Sequence, residues 1–475
     1  MNGQGTLYLQ IAEMIGRSIR AGTLKRNERL PSLRDLARQR SVSLATVTLA
    51  YRVLEDSRLI EARPRSGYYV ASRAPSLPEP RESRPPAVSI AVDRSALAAR
   101  VMALADAVDH FSFGAACPEG DLFDQARVRR ALTRATLRHR DKLTRYAVGE
   151  GHVEFRRAVA RHALRFGCEL DPSRIIVTNG AVESIALSLR VATKPGDVVA
   201  IESPTYFRLL EILEQLGLRA LEIPTHPRTG LSLDALQLAI DTQQVRAVLC
   251  VPTLHNPLGA CMPIAARRRL AAMASTQDIA VIEDVIYNDQ AEQDDKRNAV
   301  KGFDQTGHVL VCGSFSKTLA PGLRLGWVEA GRWHERVARL KAVTSGGQTT
   351  VLELAMADLL TQPGAEAGYR QMRALLAARI DHGRELIARH FPRGTRVTDP
   401  PGGFILWVEF PRELDAMALF EACLEERICV TPGKLFSAGE RFGNCIRISL
   451  GGRWDAGQHR ALARVGEIAV RLLEA

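Results

Sequence analysis

Along the first turns of the chain, apolar residues recur at helical spacing. Ile11, Met14, Ile15 and Ile19 fall on one face and predict a first helix. "SLRD" (Ser32 to Asp35) has capping-box spacing and starts a second, with Leu36 and Ala37 inward. A short turn at Gln39–Val42 follows, and Ser43 stands as the N-cap of a third helix. Its core stripe is Val47, Ala50, Tyr51 and Leu54. Ser43, Ala45, Thr46, Thr48 and Leu49 lie largely on another face. They are mostly small or hydroxylated, which suits close approach to a phosphate backbone and base edges. "LIEARPRSGYYV" then predicts a two-stranded hairpin with Arg63, Arg65 and Gly67 near its tip. From about residue 172 the period changes. "RIIVT", "DVVAIE", "VRAVLCV", "IAVIED" and "HVLVCG" are short apolar strands with helical stretches between several of them. Such alternation predicts a mostly parallel α/β sheet with ligands at the strand ends.

Between the two patterns, residues 72–95 include "APSLPEPRESRPPAV", rich in proline and poor in large apolar residues. This composition predicts a semi-rigid, partly extended connector that lets the first module sit away from the rest. The expected organisation is residues 1–74 as one domain, 75–95 as linker and 96–475 as the body. Within the body a large domain is expected at about 140–345 and a small C-terminal α+β domain at about 365–475. The 475 residues are too many for one ordinary core. The composition, 46% apolar and 25% charged, is that of a globular chain, without an apolar run that spans a bilayer or a signal-peptide pattern. Eight scattered cysteines without a CxxC pair read as reduced thiols of a cytoplasmic protein with no metal site. Charge divides unevenly. Residues 1–74 hold 13 Arg/Lys against 6 Asp/Glu, or +7, and the other 401 residues carry the remaining +4. A basic module on a near-neutral body reads either as the site of a polyanion partner or as a solvated basic surface.

Helix, helix–turn–helix and basic wing make a winged helix–turn–helix. "LPSLRDLA…VSLATVTLAYRVLEDSRLI…SGYYV" resembles the DNA-binding domain of the GntR family. The resemblance implies that Arg34, Ser43, Thr46 and Thr48 face duplex DNA and that Arg65, Ser66 and Gly67 are wing contacts. Some family members carry arginine where this chain has Leu44 and Thr48, so guanine reading from this helix is not expected.

The body's polar residues collect at strand ends. Asp284 closes an apolar strand with Tyr287 three residues on, and Asn256 follows another strand. "TNGAVES" puts Gly180, Ala181 and Val182 at a helix N-terminus suited to phosphate. "GSFSKTLAPGLRLGW" supplies Ser314, Ser316, Lys317 and Arg324. These groups match one ligand, pyridoxal 5′-phosphate. Lys317 would form a Schiff base with the aldehyde, and Asp284 would keep the pyridine nitrogen protonated. Asn256 and Tyr287 would donate to the phenolate oxygen, and Tyr206 would stack on the ring. Gly180 to Val182, Ser314, Ser316 and Arg324 would hold the phosphate.

In this order the groups resemble the fold-type I enzymes of the aspartate aminotransferase superfamily, from about residue 110 to the C-terminus. The resemblance includes "YAVGEGHVEFRRAVA", "PPGGFILWVEF" and "NCIRISLG". It implies that Tyr146 reaches a phosphate across a dimer interface and that Arg447 grips a substrate α-carboxylate. Arg208 has two readings, contact with a ligand's distal carboxylate or a solvated first-turn arginine; the second is preferred. His255 and His110 read as structural. The whole chain resembles the MocR subfamily of bacterial regulators. That implies a homodimer, PLP in each body, and a body that senses PLP or an amino acid held as external aldimine. The rival expectation is a working aminotransferase with an attached DNA-binding domain.

Overall fold

Ser32 and Ser43 set the geometry of the N-terminal module. In the computed structural model, which describes residues 7–20, 23–24, 28–56, 59–63, 66–71, 77–92, 95–105 and 110–474, α1 spans Leu7–Arg20, α2 Leu33–Arg40 and α3 Leu44–Asp56. The Ser32 hydroxyl accepts from the Asp35 N–H and caps α2, and Ser41 in the left-handed region ends it. The Ser43 hydroxyl accepts from the Thr46 N–H at 3.1 Å and starts α3. Val47, Ala50, Tyr51 and Leu54 are buried against Ile11, Ile15 and Leu36, as the periodicity predicts. The antiparallel strands β1 (Ile60–Arg63) and β2 (Gly67–Val70) form the wing. Arg65 lies outside the described residues.

The chain divides into two compact units, Met1–Ser76 and Leu77–Ala475. The second is built on a nine-stranded sheet. Its strands are β3 (Ile90–Ala91), β4 (Ile175–Thr178), β5 (Val198–Ser203), β6 (Arg219–His226), β7 (Val245–Cys250), β8 (Ala280–Asp284), β9 (Val309–Ser314) and β10 (Gly326–Glu329), with Gly230–Leu231 paired to β6. The order is β3-β6-β5-β7-β8-β9-β10-β4. β6, β5, β7, β8 and β9 run parallel, whereas β10 is antiparallel to both neighbours. Their apolar runs are buried on both faces, which is why they read as continuous rather than alternating. A four-stranded antiparallel sheet, order Arg396–Val397, Ile405–Glu409, Cys445–Ser449, Thr431–Pro432, forms the small domain. The small domain also takes in earlier chain. Phe111–Ser112 pairs with Ile428–Cys429, and Ala98 and Val101 enter the same apolar cluster.

The proline-rich segment departs from expectation over residues 77–91. It is extended but not free. The Ser83 hydroxyl accepts from the Thr225 N–H at 3.0 Å, and β3 pairs with β6 at the sheet edge. Pro78 accepts from the Val397 N–H at 2.9 Å, and the Glu79 carbonyl accepts from Arg396. The segment is therefore a strap fastened to both the large sheet and the small domain. Proline cannot extend a ladder, so single bonds fasten the strap until Ile90 permits pairing.

Candidate functional site

Five strand ends on one side of the large sheet supply the site. β8 ends at Asp284 and β9 at Ser314; the segments after β4, β5 and β7 carry Gly180, Tyr206 and Asn256. Glu283 fixes the chain beyond β8 by accepting from the Val300 and Lys301 N–H groups at 2.8 and 3.0 Å.

The first cluster is an anion cradle. Gly180, at φ +91°, is the N-cap of the helix Ala181–Ala192, whose first N–H groups are free for a ligand. A Cβ on Gly180 would sit 3.0 Å from an Arg324 guanidinium nitrogen. The Ser314 and Ser316 hydroxyls are 2.9 Å apart, and Arg324 lies 3.4 Å from Ser316 Oγ and 3.3 Å from the Asn179 carbonyl. Two hydroxyls, a guanidinium and a helix N-terminus thus converge, the donor set a phosphate dianion requires. Ala181 is buried beside them, whereas the Val182 side chain is exposed and only its backbone serves the helix end.

The second cluster surrounds Lys317. Its amine donates to the Ala116 carbonyl at 2.6 Å and stands 3.8 Å from Cys117 Sγ. Burial pulls its pKa below that of an ordinary lysine, favouring a neutral, nucleophilic amine. Burial pushes the Asp284 carboxyl up to about 7, against the Ile286 N–H and the Lys317 charge, which pull it down. Among the described residues no arginine or lysine pairs with Asp284. A protonated pyridine nitrogen is the partner that would keep it charged. Asn256 Nδ2 donates to the Tyr287 hydroxyl at 3.3 Å, both buried, and burial raises the Tyr287 phenol. Tyr206 caps the helix Phe207–Gln215 and is half-buried.

Arg447 is the third element. It is 0% exposed and held between the rings of Phe207 and Phe436. Its guanidinium donates to the Gly114 carbonyl, to Thr431 Oγ1 at 3.2 Å and to Asn256 Oδ1 at 3.4 Å, while Nε has no partner. No described carboxylate pairs with it, and burial lowers its pKa. A buried guanidinium without a counter-charge is costly unless a ligand supplies one.

Two expected residues stand apart. Tyr146 is 94% exposed and makes no hydrogen bond to the cradle of its own chain. Arg208 pairs with Glu211 at 3.0 Å, as expected of a first-turn arginine bonded three residues along. His255 is buried 3.3 Å from Glu202; burial lowers the imidazole pKa and raises that of the carboxyl, so it pushes both toward their neutral forms. Gly114, Ala116, Cys117 and Thr431 are site residues that periodicity does not mark. Gly114, in "SFGAACPEG", is the local sign that backbone approaches a ligand there.

In the N-terminal module Arg34 is exposed on α2. The hydroxyls of α3 are less free than the sequence suggests. Ser43 Oγ and Thr46 Oγ1 bond each other at 2.8 Å, and Thr48 Oγ1 donates back to the Leu44 carbonyl at 2.9 Å. Ser66 Oγ bonds the Tyr69 hydroxyl at 2.7 Å, and Gly67 turns the wing at φ +103°.

Residues 116–465 match the family described as aminotransferase class I and II, and residues 7–70 match the bacterial regulatory proteins of the gntR family. The chain is 32% identical to the uncharacterized HTH-type transcriptional regulator YjiR of Escherichia coli K12, covering 99% of this chain and all of that one. It is 28% identical to the HTH-type transcriptional regulator TauR of Rhodobacter capsulatus, covering 91% and 90%. The body is similar to a solved Pyrococcus horikoshii kynurenine aminotransferase, with TM-score 0.75 and 25% identity, over 81% of this chain and 96% of that one.

Proposed function

Because the chain belongs to the aminotransferase class I and II family and carries a GntR-family DNA-binding module, we propose that it is a transcriptional regulator whose body binds PLP and senses an amino acid. The observation that carries the amino acid reading is Arg447, a fully buried guanidinium with an unpartnered Nε and no carboxylate of its own. PLP, when bound, supplies an aldehyde that takes amines and a ring that withdraws electrons.

The chain's own residues then have distinct tasks. Arg324, Ser314, Ser316 and the Gly180 helix end bind the phosphate. Asp284 holds a proton at the ring nitrogen. Asn256 and Tyr287 orient the ring oxygen, and Tyr206 covers a ring face. Lys317 would hold the cofactor's aldehyde carbon through its amine, and Arg447 would orient the carboxylate of an incoming amino acid.

Coupling to DNA follows from the strap. Residues 77–91 are bonded to the large sheet and to the small domain, and the chain runs from them into the DNA module. A ligand that binds one arrangement of the two domains better than another therefore moves an anchor of the module. Exposed Leu143, Tyr146, Val148 and Val343 favour a homodimer in which Tyr146 serves the partner's cradle. The working-aminotransferase reading rests on the presence of Lys317, Asp284 and Arg447 together, and steady turnover of an amino donor with a keto acid would establish it.

The test uses two samples of the purified protein: one is reduced with borohydride and peptide-mapped, and the other, unreduced, is titrated spectrally with amino acids and amines. Cofactor fixed on Lys317, and an absorbance change for amino acids that also changes DNA affinity, are the expected results. A protein that stays colourless with excess PLP sinks the reading.

A further inference from the structure

The body's charge is concentrated in one place. Residues 125–165 hold 12 Arg/Lys against 3 Asp/Glu, a net +9, so the rest of residues 75–475 carries −5. Two helices organise this segment, Gln125–Arg138 and Val153–Ala163. Both bury small residues, Ala131, Ala135, Ala158 and Ala163, so they pack closely with the helix Thr350–Thr361. Arginines four residues apart share a helical face. Arg134 and Arg138 therefore form one row and Arg157 and Arg161 another, and the two rows line a single surface hollow of about 340 Å³. Asp358 in its wall is taken up by Arg134 at 2.6 Å. Arg138, Arg157 and Arg161 are exposed, and none pairs with a described acid; Glu154 is the one other carboxylate in the lining.

We propose that this hollow is a second DNA-contact surface, in which the body's arginines hold backbone phosphates of the duplex that the N-terminal module binds. The inference rests on the DNA-binding reading and extends it to a part of the chain to which that reading gives no DNA role. Charge complementarity selects the occupant. Three unpaired guanidinium forks in one concavity match closely spaced phosphates, and the module brings that polyanion to the same molecule. The contacts are to phosphate, so they add affinity without sequence preference.

The experiment uses the full-length, PLP-loaded protein and a random-sequence duplex longer than the module's own footprint. Binding is followed by fluorescence anisotropy against potassium chloride concentration. Each lost phosphate contact lowers the slope of log K against log salt by about 0.9, so R138Q/R157Q/R161Q should lower it by up to about 2.7. The control is R190Q/R246Q/R393Q, which removes the same charge from exposed arginines outside the hollow. A smaller slope in the first variant alone supports the proposal. Equal changes in both variants, or none in either, overturn it. A changed oligomeric state in the first variant, with the slope retained, also overturns it and makes the hollow an interface between copies. A wild type that binds no duplex sinks the DNA-binding reading itself.

Discussion

Replacing Arg447 with alanine tests the amino acid reading at its centre. The guanidinium is fully buried between two aromatic rings, and its hydrogen-bond partners among the described residues are neutral oxygens of Gly114, Thr431 and Asn256. A ligand carboxylate would be its first counter-charge among the described residues. A hydrogen bond to a charged group contributes about 1.5–3 kcal/mol, which converts to a loss of roughly 10- to 150-fold in amino acid affinity. The assay titrates wild type and variant with an amino acid and with its decarboxylated amine, reading cofactor absorbance. The variant should lose the preference for the amino acid while its response to the amine stays near that of wild type. Arg447→Lys keeps a positive charge but not the planar fork, so it should fall between the two. Retained PLP stoichiometry and DNA binding show that the fold survives exposure of the Gly114 carbonyl and Thr431. If both proteins respond equally to both compounds, Arg447 is no clamp, and PLP itself becomes the better candidate for the signal.

Arg324→Gln removes the guanidinium of the cradle, so PLP affinity should fall roughly 10- to 150-fold for a loss of about 1.5–3 kcal/mol, measured by fluorescence titration of apoprotein; unchanged affinity would place the phosphate elsewhere. Asp284 has its folded pKa raised from 3.8 to about 7, so between those values the folded apoprotein holds a proton the unfolded chain has lost, and stability falls as pH rises through that window. Asp284→Asn should therefore raise the urea midpoint of the apoprotein most above about pH 7 and progressively less toward about pH 4; a variant less stable than wild type at about pH 8 contradicts this. Arg34→Ala should weaken duplex binding by about 1–3 kcal/mol, uniformly across sequences, and lower the salt slope by about 0.9, checked by anisotropy on two unrelated duplexes.

What could be read from the sequence divides along the range of the interaction involved. The winged module was legible because its determinants are local. The Ser32 and Ser43 caps act within three residues, and the Val47–Leu54 stripe repeats within one helix. The strand ends of the body were legible because both-face burial leaves long apolar runs, against which Asp284 and Ser314 stand out. Arg447 lies in such a run, and only resemblance marked it, since the rings around it, Phe207 and Phe436, come from other elements of the chain. The bond from Thr48 Oγ1 to the Leu44 carbonyl leaves no mark in the sequence, because any threonine inside a helix has a carbonyl acceptor four residues back. The strap is the fullest case. Composition correctly made residues 77–91 extended, because proline excludes helix. It could not show that Ser83 is bonded to Thr225, 142 residues away, or Pro78 to Val397. Proline-rich chain leaves few N–H groups to pair, so its attachments fall at isolated residues and leave no periodic trace. Those isolated bonds are nonetheless what fastens the chain between DNA module and body to both domains of the ligand site. The segment whose composition predicts a semi-rigid connector is thus the one whose attachment a ligand-driven domain movement would have to carry or break.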